Sequence, residues 1–159
     1  MRRLLLLGLA AAALALPACG KHAAACTAPV AEAIDPLSSQ HILFGATVPR
    51  YSTNPPTSGA HRPGPLPAAV LTTPLDKPSQ VAALEGGQVL LQYGAISASD
   101  KAALVALAHK YRHVTVLPGE ALPSPIVATA WLSMQRCVSV DEHALRDFIT
   151  VHAEQHSAD

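Results

Sequence analysis

The chain has 159 residues, a length that suits one domain, and its 11 basic and 11 acidic side chains give a formal net charge of zero at pH 7. No excess of positive charge is available to attract the phosphates of a nucleic acid. An aromatic content of 4% also argues against a base-stacking surface. We therefore expect no nucleic-acid partner.

Residues 1–18 have the features of a secretory signal peptide. Arg2 and Arg3 precede an apolar run at 4–16, which is too short to span a bilayer because a spanning helix needs roughly 20 residues. The following Leu16-Pro17-Ala18-Cys19 resembles the bacterial lipobox. The alternative is an ordinary signal peptide with a chance cysteine. We expect a chain that begins at diacylated Cys19, anchored through this lipid to a bacterial membrane and facing the periplasm or the exterior.

Two cysteines are left once Cys19 carries lipid. An even number in an oxidising compartment predicts a disulfide between Cys26 and Cys137, the alternative being two unpaired buried thiols. Residues 19–38 are rich in alanine, proline and serine and predict a tether. The predicted domain covers residues 39–153, and residues 154–159 form a polar tail.

The predicted elements alternate between strand and helix along the domain. We expect strands near 41–45, 88–93, 113–117 and 126–132, separated by turn signals. Six prolines between residues 46 and 73 predict a long loop, followed by a short helix within 74–84. A second helix begins near residue 99, capped by Ser97 or Ser99, and the last begins at a capping box from Ser139 to Glu142.

This order predicts an α+β fold with one small mixed sheet and two to three helices packed on it. The helix between the strands at 88–93 and 113–117 makes a crossover, so these strands should be parallel. The short link between the last two strands indicates that they are antiparallel. In the strand at 113–117, Val114 and Val116 should face the core, with Thr115 on the opposite face.

The segment at residues 51–61, named here the proline loop, is the most unusual stretch in the sequence. Its two adjacent prolines cannot enter a helix or a central strand, yet it carries many polar side chains. We expect it to fold over the sheet edge beside Glu85 and to form one polar pocket. The candidate pocket residues are His41, Tyr51, Asn54, Thr57, Ser58, His61 and Glu85.

The run Tyr-x-Thr-Asn-Pro-Pro-Thr-Ser-Gly-x-His in the proline loop resembles the hallmark of an uncharacterised bacterial envelope family, the domain of unknown function DUF 3105. Leu84-Glu85-x-Gly87 and Thr129-Ala130-Trp131 fit other segments of that family. The resemblance covers about residues 40–153 and implies no established activity.

One departure from the family pattern concerns metal binding. The resemblance implies a His-x-x-Glu-His pattern, a spacing that suits zinc, where this chain has Ala82 and Gly86 in place of the histidines and keeps Glu85. We therefore expect a non-catalytic binding or structural domain with no cofactor. The disfavoured alternative is a metal-binding protein or metal-dependent hydrolase-like enzyme, degenerate in this chain, that uses His41, His61 and Glu85.

Overall fold

A computed structural model of the protein describes residues 24–153. The predicted signal peptide, Cys19 with the first residues of the tether, and the tail at 154–159 lie outside the described residues. The described chain contains these elements in order: β1 (Val30–Ala31), α1 (Lys77–Glu85), β2 (Val89–Tyr93), α2 (Ala98–Lys110), β3 (Val114–Pro118), β4 (Ile126–Ala130), β5 (Ser133–Cys137) and α3 (Glu142–His152).

The five described strands form one mixed sheet in the order β1-β5-β4-β2-β3. β2 and β3 are parallel, with α2 as the crossover between them, and the other neighbours are antiparallel. The α+β class and the parallel pair are confirmed. β3 and β4 do run in opposite directions, but they are not paired, because both of them pair with β2.

The last predicted strand was too long and hid a hairpin. Leu132 has a φ of 56°, in the left-handed region, so β4 ends at Ala130 and the chain turns back into β5. β5 reads Ser-Met-Gln-Arg-Cys and lacks the β-branched residues that mark strands. It pairs with β4 along all five of its residues.

The expected first strand at residues 41–45 is not a strand. His41 makes only an isolated bridge to His61, Phe44 is 99% exposed, and Gly45 turns the chain with a φ of 80°. This apolar run is not buried, and it does not pair with a neighbouring strand. One edge strand of the sheet is instead β1, which lies in the segment expected to be a tether.

Residues 24–42 form an N-terminal arm that packs on the domain, which corrects the tether prediction for residues 24–38. Thr27 donates its backbone N–H to Arg136 and Glu32 donates to Leu132, so the arm follows β5. Asp35 and Ser38 are buried. Short-range composition did not indicate this packing because the arm's partners lie far along the chain.

The two faces of the sheet are covered differently. α2 and α3 pack on one face around a large apolar core that includes Leu91, Leu104 and Phe148. α1 covers part of the other face, where Leu84, Leu90 and Leu117 form a smaller core. Thr115 is fully buried, so β3 is buried on both faces and not half-exposed as predicted.

Capping residues in the sequence predicted where α2 and α3 begin, but the cap of α3 is not the expected residue. The Ser97 side chain accepts the N–H of Asp100 and caps α2, as expected. α3 is capped by Asp141, which accepts from His143 and Ala144, and not by Ser139. No helix among residues 24–153 combines the length and the apolar character needed to cross a membrane.

Candidate functional site

The proline loop is buried along most of its length. Residues 55–61 are all inaccessible or nearly so, and His61 is 1% exposed. The Tyr51 hydroxyl donates to the Ala60 carbonyl at 2.7 Å, and the Thr57 N–H donates to Thr53 Oγ1 at 3.1 Å. The loop therefore satisfies part of its own polar groups internally.

The ring of Tyr51 packs directly against Gly59 of the proline loop. A Cβ atom at Gly59 would lie 2.7 Å from Tyr51 Cδ1, and Gly59 has a φ of 132°, so only glycine allows this approach. Burial of the phenol, together with the nearby negative charge of Asp76, raises the pKa of Tyr51 to about 12. The phenol therefore remains protonated at neutral pH and keeps its hydrogen bond to Ala60.

Asp35 of the N-terminal arm forms hydrogen bonds with Ser52 and Ser58 of the proline loop. The sequence did not predict this contact. Its Oδ2 accepts both the N–H and the hydroxyl of Ser52, and its Oδ1 accepts the N–H of Leu37. The Asp35 N–H in turn donates to Ser58 Oγ at 2.8 Å. The Asp35-Pro36 dipeptide, a typical turn signal, was the available clue.

These donors govern the ionisation of Asp35. Burial by itself raises the pKa of this carboxyl, but the hydrogen bonds from Leu37 and Ser52 outweigh burial and hold the pKa below its ordinary value of 3.8. Asp35 is therefore a buried carboxylate at neutral pH, stabilised by three donors.

His61 contacts Glu85, the last residue of α1. His61 Nε2 lies 2.6 Å from Glu85 Oε2, and Nδ1 lies 3.1 Å from the Gly59 carbonyl oxygen. The Nε2 contact lacks the angle of a hydrogen bond, so it is a close polar contact made off the axis of the ring nitrogen. Since a carbonyl oxygen only accepts, Nδ1 carries a hydrogen and donates it to Gly59. His41, which is exposed, meets His61 edge-on with ring centroids 4.9 Å apart.

The disfavoured metal centre would use His41, His61 and Glu85. Among residues 24–153, no three His, Cys, Asp or Glu side chains are grouped to hold a metal ion. A Cβ atom at Gly86 would lie 2.7 Å from Leu66 Cδ2, so Leu66 fills the space beside the position of a family histidine. Ala82 lies in the same apolar groove as Leu66.

The expected single polar pocket is divided in the structure. Among the predicted pocket residues, only Asn54 lines a small cavity of about 120 Å³, between the proline loop and the start of α1. His61 and Glu85 lie elsewhere, and the hydroxyls of Thr57 and Ser58 are turned to Thr53 and Asp35. Gln80 and Gln92, which line this cavity, were not predicted. A polar side chain inside the apolar strand β2 was the available signal, because buried amides need partners.

A disulfide joins Cys26 to Cys137, with an S–S distance of 2.03 Å and a Cα–Cα distance of 4.0 Å. The two residues also form an isolated antiparallel bridge, which continues the pairing of the N-terminal arm with β5. The covalent bond therefore holds the arm to the sheet on the side where the chain enters the domain.

Comparison with known proteins relates the chain to a protein family. No curated protein and no solved structure matches the chain. A family model described as protein of unknown function (DUF3105) matches residues 45–159, which is most of the chain and includes the proline loop and the three helices found among residues 24–153. The chain therefore belongs to the DUF3105 family.

Proposed function

We propose that the protein is a cell-envelope lipoprotein, anchored to a bacterial membrane through an acylated Cys19, whose folded domain has a non-catalytic binding or structural role. The sequence Leu16-Pro17-Ala18-Cys19 after an apolar run supports the anchor. The Cys26–Cys137 disulfide supports an oxidising compartment, since such bonds persist outside the cytosol.

One observation mainly supports the non-catalytic role: the polar side chains of the proline loop form hydrogen bonds within the protein. Its five hydroxyl groups, those of Tyr51, Ser52, Thr53, Thr57 and Ser58, all contact other protein groups. A catalytic hydroxyl needs a base within hydrogen-bond reach. Among the described residues, none of these hydroxyls has a hydrogen bond to His61. Only the Ser52 hydroxyl donates to a carboxylate among these residues, and its partner Asp35 is a weak base because its pKa is lowered.

The anchor leads to a labelling prediction. Labelled palmitate fed to producing cells is expected to appear on the protein and to be lost in Cys19→Ala, because the thiol that receives the diacylglycerol is gone. Two or more acyl chains hold a protein stably on a membrane. The same label would persist in Cys26→Ala, the matched control. Equal labelling of the wild type and the Cys19→Ala variant would contradict the proposal.

The non-catalytic role leads to a metal-binding prediction. Calorimetric titration of the mature chain in detergent with zinc or copper is expected to show no stoichiometric submicromolar binding. His61→Ala is expected to lower the melting temperature by several degrees, since it removes a buried ring and leaves the Gly59 carbonyl without its donor. His109→Ala, at an exposed position of α2, is the control and should change neither property.

Tight binding that His61→Ala abolishes and His109→Ala preserves would overturn this proposal. It would assign the protein to the metal-dependent class. No binding, with only a loss of stability in His61→Ala, supports a structural histidine.

A further inference from the structure

The cavity of about 120 Å³ lies where four parts of the fold meet. Asn54 of the proline loop, Asp76 and Lys77 at the start of α1, and Gln92 of β2 contribute to its walls, together with Glu120 from the turn after β3. Its volume equals that of about four water molecules at ~30 Å³ each. A ligand in it is therefore limited to a few non-hydrogen atoms.

A relay of two buried amides forms one wall of the cavity. Gln80 Nε2 donates to the Leu75 carbonyl at 2.7 Å, and Gln92 Nε2 donates to Gln80 Oε1 at 3.1 Å. Because the Leu75 oxygen only accepts, it sets the orientation of Gln80, and Gln80 then sets the orientation of Gln92. Gln92 is 1% exposed. Its Oε1 receives no hydrogen bond from the described residues and is not one of their fully buried unpaired atoms, so the relay ends in an acceptor that remains accessible at the cavity.

Asn54 adds a second acceptor by the same logic. Its Nδ2 donates to the Ala121 carbonyl at 2.9 Å, which leaves Oδ1 as the unused atom of the amide. Two amide oxygens of this cavity are thus left without donors within residues 24–153. An occupant with N–H groups would complete both.

The charged groups of the cavity divide into one that is used and two that are not. Asp76 accepts the Ser79 N–H and pairs with Arg62 at 2.7 Å. Lys77 and Glu120 form no ion pair with each other or with any other described residue. The unused groups therefore carry one positive and one negative charge, with a net charge of zero.

We propose that this cavity binds a small zwitterion of the amino-acid type. The ammonium group of the ligand donates to Gln92 Oε1 and pairs with Glu120, and its carboxylate pairs with Lys77. This assignment satisfies the Gln92 acceptor and both unused charges with one molecule. It rests on the binding role proposed above and specifies the class of ligand for that role.

The test is a titration of the isotopically labelled mature chain with glycine, followed by the side-chain amide NMR signals of Gln92 and Asn54. Saturable shifts of both signals are expected. Acetate and ethanolamine each carry only one of the two charged groups and should give weaker, non-saturating shifts. Glu120→Gln and Lys77→Gln are each expected to weaken glycine binding about threefold, the effect typical of an exposed charge pair. Arg146→Gln, an exposed change on α3, should leave binding unchanged.

Three results would overturn the proposal. An absence of saturable shifts would mean that the cavity holds water only. Equal binding of glycine and either half-molecule would mean that the ligand class is wrong. Equal glycine binding by the wild type and both cavity variants would place any site elsewhere. None of these results would alter palmitate labelling at Cys19, so failure here is distinguishable from failure of the lipoprotein proposal.

Discussion

Replacement of both Cys26 and Cys137 by alanine is expected to lower the free energy of unfolding by about 4 kcal/mol. The two cysteines are 111 residues apart, so the bond closes a loop through nearly the whole described chain. Closing so long a loop removes much conformational freedom from the unfolded chain, and its loss restores that freedom. In the folded state, the backbone bridge at these positions does not depend on sulfur.

Urea unfolding of the protein, with and without a reducing agent, measures this effect. The reduced wild type should approach the stability of the double alanine variant, whereas a reducing agent should leave the variant unchanged. A difference below about 1 kcal/mol between the oxidised wild type and the variant would contradict the expectation, since that is the range of an ordinary surface change.

Asp35→Asn is expected to destabilise the protein by about 2–3 kcal/mol at neutral pH. The carboxylate accepts three hydrogen bonds, two from Ser52 and one from Leu37, in a site where Asp35 is 4% exposed. The amide of asparagine has one oxygen, so its NH₂ group must face at least one donor. A partly buried donor that faces another donor has lost part of its hydration without gaining an acceptor.

The destabilisation should depend on pH with a definite sign. The folded-state pKa of Asp35 is held below the ordinary value of 3.8, so around that pH the unfolded chain binds more protons. The stabilisation is complete above the ordinary pKa and is lost as the pH falls through the lower folded pKa. The stability difference between wild type and Asp35→Asn should therefore shrink in acid.

Chemical unfolding at a series of pH values tests both statements. Asp147→Asn, at an exposed position on α3, is the control and should cause little change at neutral pH. A difference between wild type and Asp35→Asn that stays constant from neutral pH into strong acid would show that the charge of Asp35 contributes nothing.

Helices and central strands were predictable because their signals are local. Leu145, Phe148 and Ile149 recur at helical spacing and are buried on one face of α3. The run from Val89 to Leu91 is apolar and forms a fully buried strand. In both cases, the spacing of apolar residues within the segment indicates which side chains are buried.

The N-terminal arm and β5 were not predictable in this way. Asp35 meets Ser52 and Ser58, which are 17 and 23 residues away, and no periodicity reports such contacts. β5 contains Gln135, which is buried because neighbouring strands and the arm cover it, although its composition is polar. Tertiary packing overrides propensity at such positions.

The candidate site also combines features that the local sequence predicts with contacts that form only in the folded chain. The prolines and Gly59 predict a loop at residues 51–61, because these residues restrict or permit specific backbone angles. The pairing of Gln80 with Gln92 depends on how α1 lies across the sheet. Neither glutamine belongs to a motif, so only the folded chain brings the two amides together.

The covalent link of the N-terminal arm to β5 also determines how the domain responds to mechanical tension. A pull on the chain ahead of Cys26 passes through the disulfide into Cys137 before it can strain the hydrogen bonds at Thr27 and Glu32. The load then enters β5, which is paired along its length with β4. An oxidised domain therefore resists peeling of the arm, whereas a reduced domain would yield one hydrogen bond at a time from its N-terminal end.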